Sequence, residues 1–423
     1  MASLKIPLPL FLVVFYTVID NCASISSAMP PNFLVPSPVS RSISEPVTTS
    51  NSHPSASILT ARGIKAAYWP SFTGFPASSI DTLYFTHIYY AFLLPDPNTY
   101  KLNVTPLDQE KLIEFMVALN ALNPPVKTLV SIGGGGNDPN VFSKMVSSES
   151  TRAIFINSTI EFARKYGFDG VDLDWEFPAN DRDMSNLGLL FKQWQEALQN
   201  DAKATNKTQL LLTSVVYYTS KIIFSGELRA YPDHAIGKYI NWISLMCFDY
   251  HGSWDSVTGE HSALYDPTSN ISTKYGIESW IQAGVPPKKG VMGLPLYGRT
   301  WKLQDPNVNG IGAPAVGVGP GDGILIYSQV VDYNSENNAT VKFDEQTVSF
   351  YSYAGDSWIG YDDVESLKLK TRFARSRNLG GYFFWALGQD NNWTLSREGK
   401  DCITASFMLL DNFGKLLINS LAI

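Results

Sequence analysis

Past residue 60 the chain alternates short apolar runs with longer stretches whose apolar positions recur at helical spacing. The apolar runs fall at residues 65–69, 87–92, 127–132, 170–174, 210–215, 242–246, 290–294 and 381–384. Several are nearly continuous in Val, Ile, Leu and aromatics, the pattern of strands covered on both faces. Helical stretches lie between them at 109–122, 150–166, 186–200, 271–283 and 363–377. Eight strands alternating with helices predict an α/β protein, a parallel (β/α)8 barrel of the TIM type. An open doubly wound sheet is the competing architecture, but no glycine fingerprint opens a first strand–helix turn. The rhythm breaks between the seventh and eighth runs. Residues 300–360 are Gly-rich and then β-rich, at 341–343 and 348–353, and predict a small α+β insertion. The folded domain spans 61–395.

The ends read differently. Lys5 precedes an apolar run at 6–19 and small residues at 23–28, the order of a secretory signal. Cleavage after Ala23 or after Ala28 fits equally, and the run is shorter than the roughly 20 residues of a membrane span. Residues 1–28 are therefore read as a signal peptide, 29–60 as a Ser/Pro-rich linker and 396–423 as a C-terminal tail. The tail is either a packing element or a sorting signal toward a vacuole. Six N-x-S/T triplets, at Asn103, Asn157, Asn206, Asn270, Asn338 and Asn392, fit a secreted glycoprotein.

Composition narrows the partners. A net charge of −7 argues against nucleic acid. Aromatic residues at 13% suit either a large core or a sugar-binding cleft. Cys22 leaves with the signal. Cys247 and Cys402 either form a disulfide or leave Cys247 as a buried thiol. Five scattered His and no ligand spacing predict no metal and no cofactor. Nothing predicts assembly, so a monomer is expected.

The chemistry concentrates in FDGVDLDWEFP, residues 168–178. Asp172, Asp174 and Glu176 are spaced by two. On a strand such residues share one face, roughly 7 Å apart, while Val171, Leu173 and Trp175 face the other layer. Like charges so placed raise one another's pKa, which keeps a proton on a carboxyl group near neutral pH. Asp169 falls off this column and is read as a structural acceptor. The column ends the fourth strand, where barrel enzymes place their reactive groups.

This segment resembles the D-x-x-D-x-D-x-E signature of family 18 glycoside hydrolases, the chitinase family with a TIM barrel. Other pieces follow in the family's order: Ser131-Ile-Gly-Gly134 on the third strand, Met246-Cys-Phe-Asp249 on the sixth, Gly293 to Arg299 on the seventh and Gly381 to Trp385 on the eighth. No Trp follows Gly134. With Tyr265-Asp266-Pro267 and Trp280 to Gly284, that looks most like plant class V chitinases. The resemblance implies chitin or N-acetylglucosamine oligosaccharides as substrate and no protein nucleophile. Glu176 would be the general acid, Asp174 would orient the substrate's acetamido group, and Asp172 would share a proton with Asp174. Tyr68, Phe92, Met246, Phe248, Asp249, Tyr250, Tyr297, Arg299 and Trp385 would line the sugar site. Tyr68 and Phe92 suit core as well as site, Trp385 suits core as well as sugar stacking, and Arg299 suits a carboxylate partner as well as substrate.

One position departs from the family. The tyrosine of M-x-Y-D, whose hydroxyl holds the acetamido oxygen, is Phe248 here. Strand alternation would put Tyr250 on the same side. Three readings result: a chitinase, a chitinase-like lectin with little turnover, and a hydrolase of substituted chitin oligomers.

Overall fold

The computed structural model describes residues 63–224 and 227–399. The signal peptide, the linker, Cys402 and all but the first residues of the tail lie outside them. Eight parallel strands form the centre: β1 (Ile64–Pro70), β2 (His87–Pro95), β3 (Lys127–Gly133), β4 (Gly170–Asp174), β5 (Leu211–Tyr217), β6 (Trp242–Met246), β7 (Gly290–Pro295) and β8 (Gly381–Trp385). Each pairs with its sequence neighbours, and β1 pairs with both β2 and β8. The sheet is a closed barrel, so it has no free edge. All eight predicted strands are present.

Period-two alternation separates two cores. Ala66, Tyr68, Tyr89, Leu129, Val215, Trp242, Val291 and Phe383 point inward and fill the barrel. Ala67, Ile88, Val130, Val171, Leu173, Leu212, Ile243, Met292 and Phe384 point outward under the helices. The helices are α1 (Pro106–Ala121), α2 (Pro139–Val146), α3 (Glu149–Tyr166), α4 (Asp181–Thr205), α5 (Asp233–Tyr239), α6 (Thr273–Gln282), α7 (Tyr327–Glu336) and α8 (Val364–Ser376). The pattern missed α2 and α5, which are too short to show a sustained helical period, and α7 is the helical part of the predicted α+β insertion, whose bounds the pattern left open. The start of α4 was also missed: Asn180 caps it by accepting from Asp183 N–H.

The insertion begins at Tyr297, immediately past β7, and runs to Tyr361. Tyr297 and Arg299 therefore belong to its first strand and not to the end of the seventh barrel strand. It is an antiparallel six-stranded sheet with α7 against one face. All six sequon asparagines are solvent-exposed. No helix among the described residues is long and apolar enough to cross a membrane.

Candidate active site

β4 ends at Asp174, so Glu176 stands in the turn beyond it and the acids are not one strand-borne column. Asp172 is fully buried in the barrel. Its register partners Ser131 and Thr213 share its face. Ser131 Oγ and Tyr68 Oη donate to Asp172 Oδ2 at 2.7 and 3.0 Å, and Thr213 Oγ1 donates to Oδ1 at 2.6 Å. Burial pushes the Asp172 carboxyl up to about 6 against the pull of these three donors. Its oxygens are met by these hydroxyls, and it forms no hydrogen bond to Asp174. Asp174 is hydrogen-bonded to Glu176 instead.

Burial, then the charges of Glu176 and Asp172, raises Asp174 well above the usual carboxylate range. Burial and the charge of Asp249 push Glu176 up to about 7, against hydrogen bonds from Asp174 and the Gly135 N–H. The pair titrates as a unit and keeps a proton near neutral pH. Asp174 Oδ1 is buried and accepts no hydrogen bond among the described residues. Asp169 faces away, and its Oδ2 accepts from Thr128 N–H at 2.9 Å, bracing β4 against β3.

The glycines after β3 make this crowding possible. A Cβ on Gly133 (φ +124°) would lie 1.9 Å from the Asp174 carbonyl oxygen, and one on Gly134 (φ +95°) 2.6 Å from the Phe92 ring. Both positions exclude other residues by conformation as well as by space. Phe92 itself reaches the mouth through a register shift in β2 between Tyr90 and Leu93. Strict alternation would have sent it outward. The shift turns it onto Trp385, with centroids 5.6 Å apart and planes within 23°. Trp385 is half-buried above the barrel's inner core and forms the floor of the mouth. Tyr68 lies beneath it, 1% exposed and stacked on Tyr89 at 4.3 Å. Tyr68 thus holds Asp172 and does not line the cleft.

Past β6, Met246 and Phe248 pack on the inner core. The Phe248 ring lies over Gly293, where a Cβ would stand 2.7 Å from it, and edge-on to Phe383 at 6.1 Å. Asp249 then adopts the left-handed region at φ 59°. That single residue breaks the alternation. Asp249 faces the cleft beside Phe248, and Tyr250 turns outward, where its hydroxyl meets Thr273 Oγ1 at 3.0 Å and its ring meets Tyr218. Tyr250 is therefore outer core and offers no replacement for the missing hydroxyl.

Asp249 is clamped by the insertion. Tyr297 Oη and Arg299 Nε donate to its Oδ1 at 2.7 and 2.8 Å, and an Arg299 terminal nitrogen meets Oδ2 at 2.8 Å. Burial alone would raise the Asp249 carboxyl. The Arg299 charge, with the hydrogen bonds from Arg299, outweighs it and holds the group well below the usual range. An anion thus stands beside Glu176 and contributes to raising it.

Residues 65–390 match the description "Glycosyl hydrolases family 18". The chain belongs to this family. The class V chitinase CHIT5a of Medicago truncatula is 53% identical over 342 residues, 80% of this chain and 89% of that one. The crystal structure of the class V chitinase of Nicotiana tobaccum superposes with a TM-score of 0.79 at 36% identity, covering 81% of this chain and 99% of its own. The chitinase-like agglutinin RobpsCRA of Robinia pseudoacacia gives a TM-score of 0.74 at 36% identity, covering 80% and 99%.

Several residues of this family 18 hydrolase carry no motif-level signal. Thr213 is found only through its register with Asp172. Trp254, in the loop after β6, lies with its ring 4.9 Å from the Arg299 guanidinium. Its signal was a tryptophan in a Gly/Ser loop just past Asp249. His261 is 1% exposed, with Nδ1 3.7 Å from Asp249 Oδ1, and burial lowers its pKa so that it is neutral at pH 7. The adjacent Ser262 is tied to the buried Asp362–Lys370 ion pair, which fixes this loop against α8. Because Arg299 is itself buried, Arg299→Met is expected to leave Asp249 as an uncompensated charge. The Asp249 side chain is 32% exposed, so solvent offsets part of this, and a loss of about 1–2 kcal/mol in unfolding free energy should appear in urea melts. A change within 0.5 kcal/mol would mean that solvent, and not Arg299, carries Asp249.

Proposed function

We propose that the protein is a secreted hydrolase of the β-1,4 bonds between N-acetylglucosamine units in chitin, working with retention and with substrate assistance. The observation that carries this reading is the Asp174–Glu176 pair, which holds a proton near neutral pH at the C-terminal mouth of the barrel. Glu176 gives its proton to the glycosidic oxygen as the bond to the anomeric carbon breaks. The substrate's acetamido oxygen forms the new bond to that carbon from the opposite face, giving an oxazolinium ion. Asp174 Oδ1, buried and unpaired among the described residues, accepts the acetamido N–H and balances the positive charge. Accepting that bond favours the anion on Asp174 and leaves the pair's proton on Glu176. Water then attacks the anomeric carbon, Glu176 takes the water's proton, and the acetamido group is restored.

Tyr68, Ser131 and Thr213 keep Asp172 in place below Asp174, Trp385 supports a sugar ring, and the Asp249–Arg299–Tyr297 clamp forms one wall. The exposed sequons and the N-terminal segment support secretion as a glycoprotein. The likeness to named class V chitinases supports chitin as substrate.

A second reading rests on Phe248. Without a donor for the acetamido oxygen, the same cleft would hold chitin oligomers with little turnover, and the fold is shared with a protein named a chitinase-like agglutinin. Incubating the mature protein with chitin hexamer and resolving products and anomers by chromatography separates the two. Shorter oligomers born as the β anomer are expected. Intact hexamer that nevertheless binds would leave the lectin reading.

A further inference from the structure

One face of the inserted sheet carries aromatic side chains that the cleft does not use. Register partners in an antiparallel sheet share a face. Arg299, Gly360, Tyr351 and Lys342 form one row across four strands, and Trp301, Trp358, Tyr353 and Thr340 the next. The first row starts at the arginine of the Asp249 clamp, and Tyr351 lies two strand spacings away, roughly 10 Å between backbones. Trp301 and Trp358 are fully covered and meet edge-on at 5.2 Å, forming a rigid base. Tyr351 lies nearly parallel to Trp358, with centroids 5.3 Å apart and planes within 17°. Tyr353 follows at 6.4 Å and 23° from Tyr351. Both tyrosines are half-buried, and the edge-strand residues beside them, Thr340 and Lys342, are exposed.

Tyrosines so placed combine a flat apolar ring with a polar rim, and the sheet beneath fixes their orientation, so little side-chain freedom is lost on binding. A pyranose in a β-1,4 chain has the matching form, apolar C–H faces edged by hydroxyl and acetamido groups. The two tyrosines lie on the sheet face that begins at Arg299 beside the cleft, with the Trp358 ring and the Gly259 carbonyl covering Gly360 between them. A polymer held in the cleft also presents further units of the same chemistry at high local concentration. We propose that Tyr351 and Tyr353 form an accessory platform for N-acetylglucosamine units of insoluble chitin. This rests on the reading of the cleft as a chitin-cleaving site, and it concerns adsorption of the polymer rather than cleavage of the bond.

The test compares the unaltered protein with Tyr351→Ala/Tyr353→Ala and with Tyr351→Phe/Tyr353→Phe, which keeps both rings. All are made in a host that adds no glycans, because Thr340 completes the Asn338 sequon at this edge. Adsorption to powdered chitin and kcat/KM on soluble chitin tetramer are measured. The Ala pair is expected to adsorb about tenfold less than the unaltered protein, with tetramer cleavage within about twofold. The Phe pair should match the unaltered protein in both. Undiminished adsorption of the Ala pair overturns the platform while tetramer cleavage keeps the cleft reading. Tetramer cleavage lost in the Ala pair but kept in the Phe pair also overturns it, assigning the rings to the wall of the cleft. Failure of the unaltered protein to cleave tetramer overturns the cleft reading, and its adsorption relative to the Ala pair still decides the platform.

Discussion

Glu176→Gln is expected to lower kcat on chitin oligomers by about 10³-fold or more, with binding of the oligomer retained. The amide keeps the shape of the side chain and cannot give a proton to the glycosidic oxygen. In the unaltered protein the same carboxyl sets the alkaline side of the pH profile. Burial and the charge of Asp249 push it up to about 7, so activity should fall as pH rises through neutrality. Folding stability should change in the same window. A carboxyl raised in the fold binds its proton more tightly than in the unfolded chain, so unfolding releases a proton. Stability therefore falls as pH rises from about 4.5, the unfolded value, through about 7. Glutamine removes that cost. At pH 8 the variant should be more stable by an amount on the order of 1–3 kcal/mol, a Tm higher by a few degrees in calorimetry. Oligomer cleavage surviving in Glu176→Gln would sink the assignment of the acid. A melting point at pH 8 no higher than that of the unaltered protein would show that Glu176 is ionised at little cost.

Phe248→Tyr is the second large effect. The aromatic ring already lies at the mouth, packed over Gly293 and edge-on to Phe383 and Tyr297. Adding the hydroxyl supplies a donor for the acetamido oxygen that attacks the anomeric carbon. One preorganised donor of this kind is worth about 10²–10³ in kcat. The rise should appear in kcat far more than in KM, because the bond strengthens as the oxygen takes up its attacking position. If the unaltered protein binds hexamer without cleaving it, the same substitution should bring cleavage into the measurable range. Unchanged kcat in Phe248→Tyr would mean that the oxygen is held by another group, and Phe248 would cease to distinguish hydrolase from lectin.

Much of the site was legible because its residues lie in strand periodicity. The acids at 172 and 174, with Val171 and Leu173 opposed, give both strand and face from spacing alone. The same rule failed where the backbone departs from an ideal strand. Phe92 reaches the mouth only through a register shift in β2, Tyr250 leaves it because Asp249 is left-handed, and Glu176 stands beyond the end of β4. The S-x-G-G run reads as a turn in the sequence. Only the packing shows that its glycines admit the Asp174 carbonyl and the Phe92 ring.

Composition and alternation by themselves determined the barrel, the insertion and the position of the carboxylates, because period two and the burial of both strand faces are local properties of the chain. Tertiary structure decided which of those groups meet. Asp172 is held by hydroxyls from three other strands, Tyr68, Ser131 and Thr213, and Glu176 by a glycine loop. Asp249 is kept ionised by an arginine fifty residues on. These are contacts between strands distant in sequence, set by register and by closure of the barrel. The resulting fields, and not the spacing of the acids, determine where the proton resides.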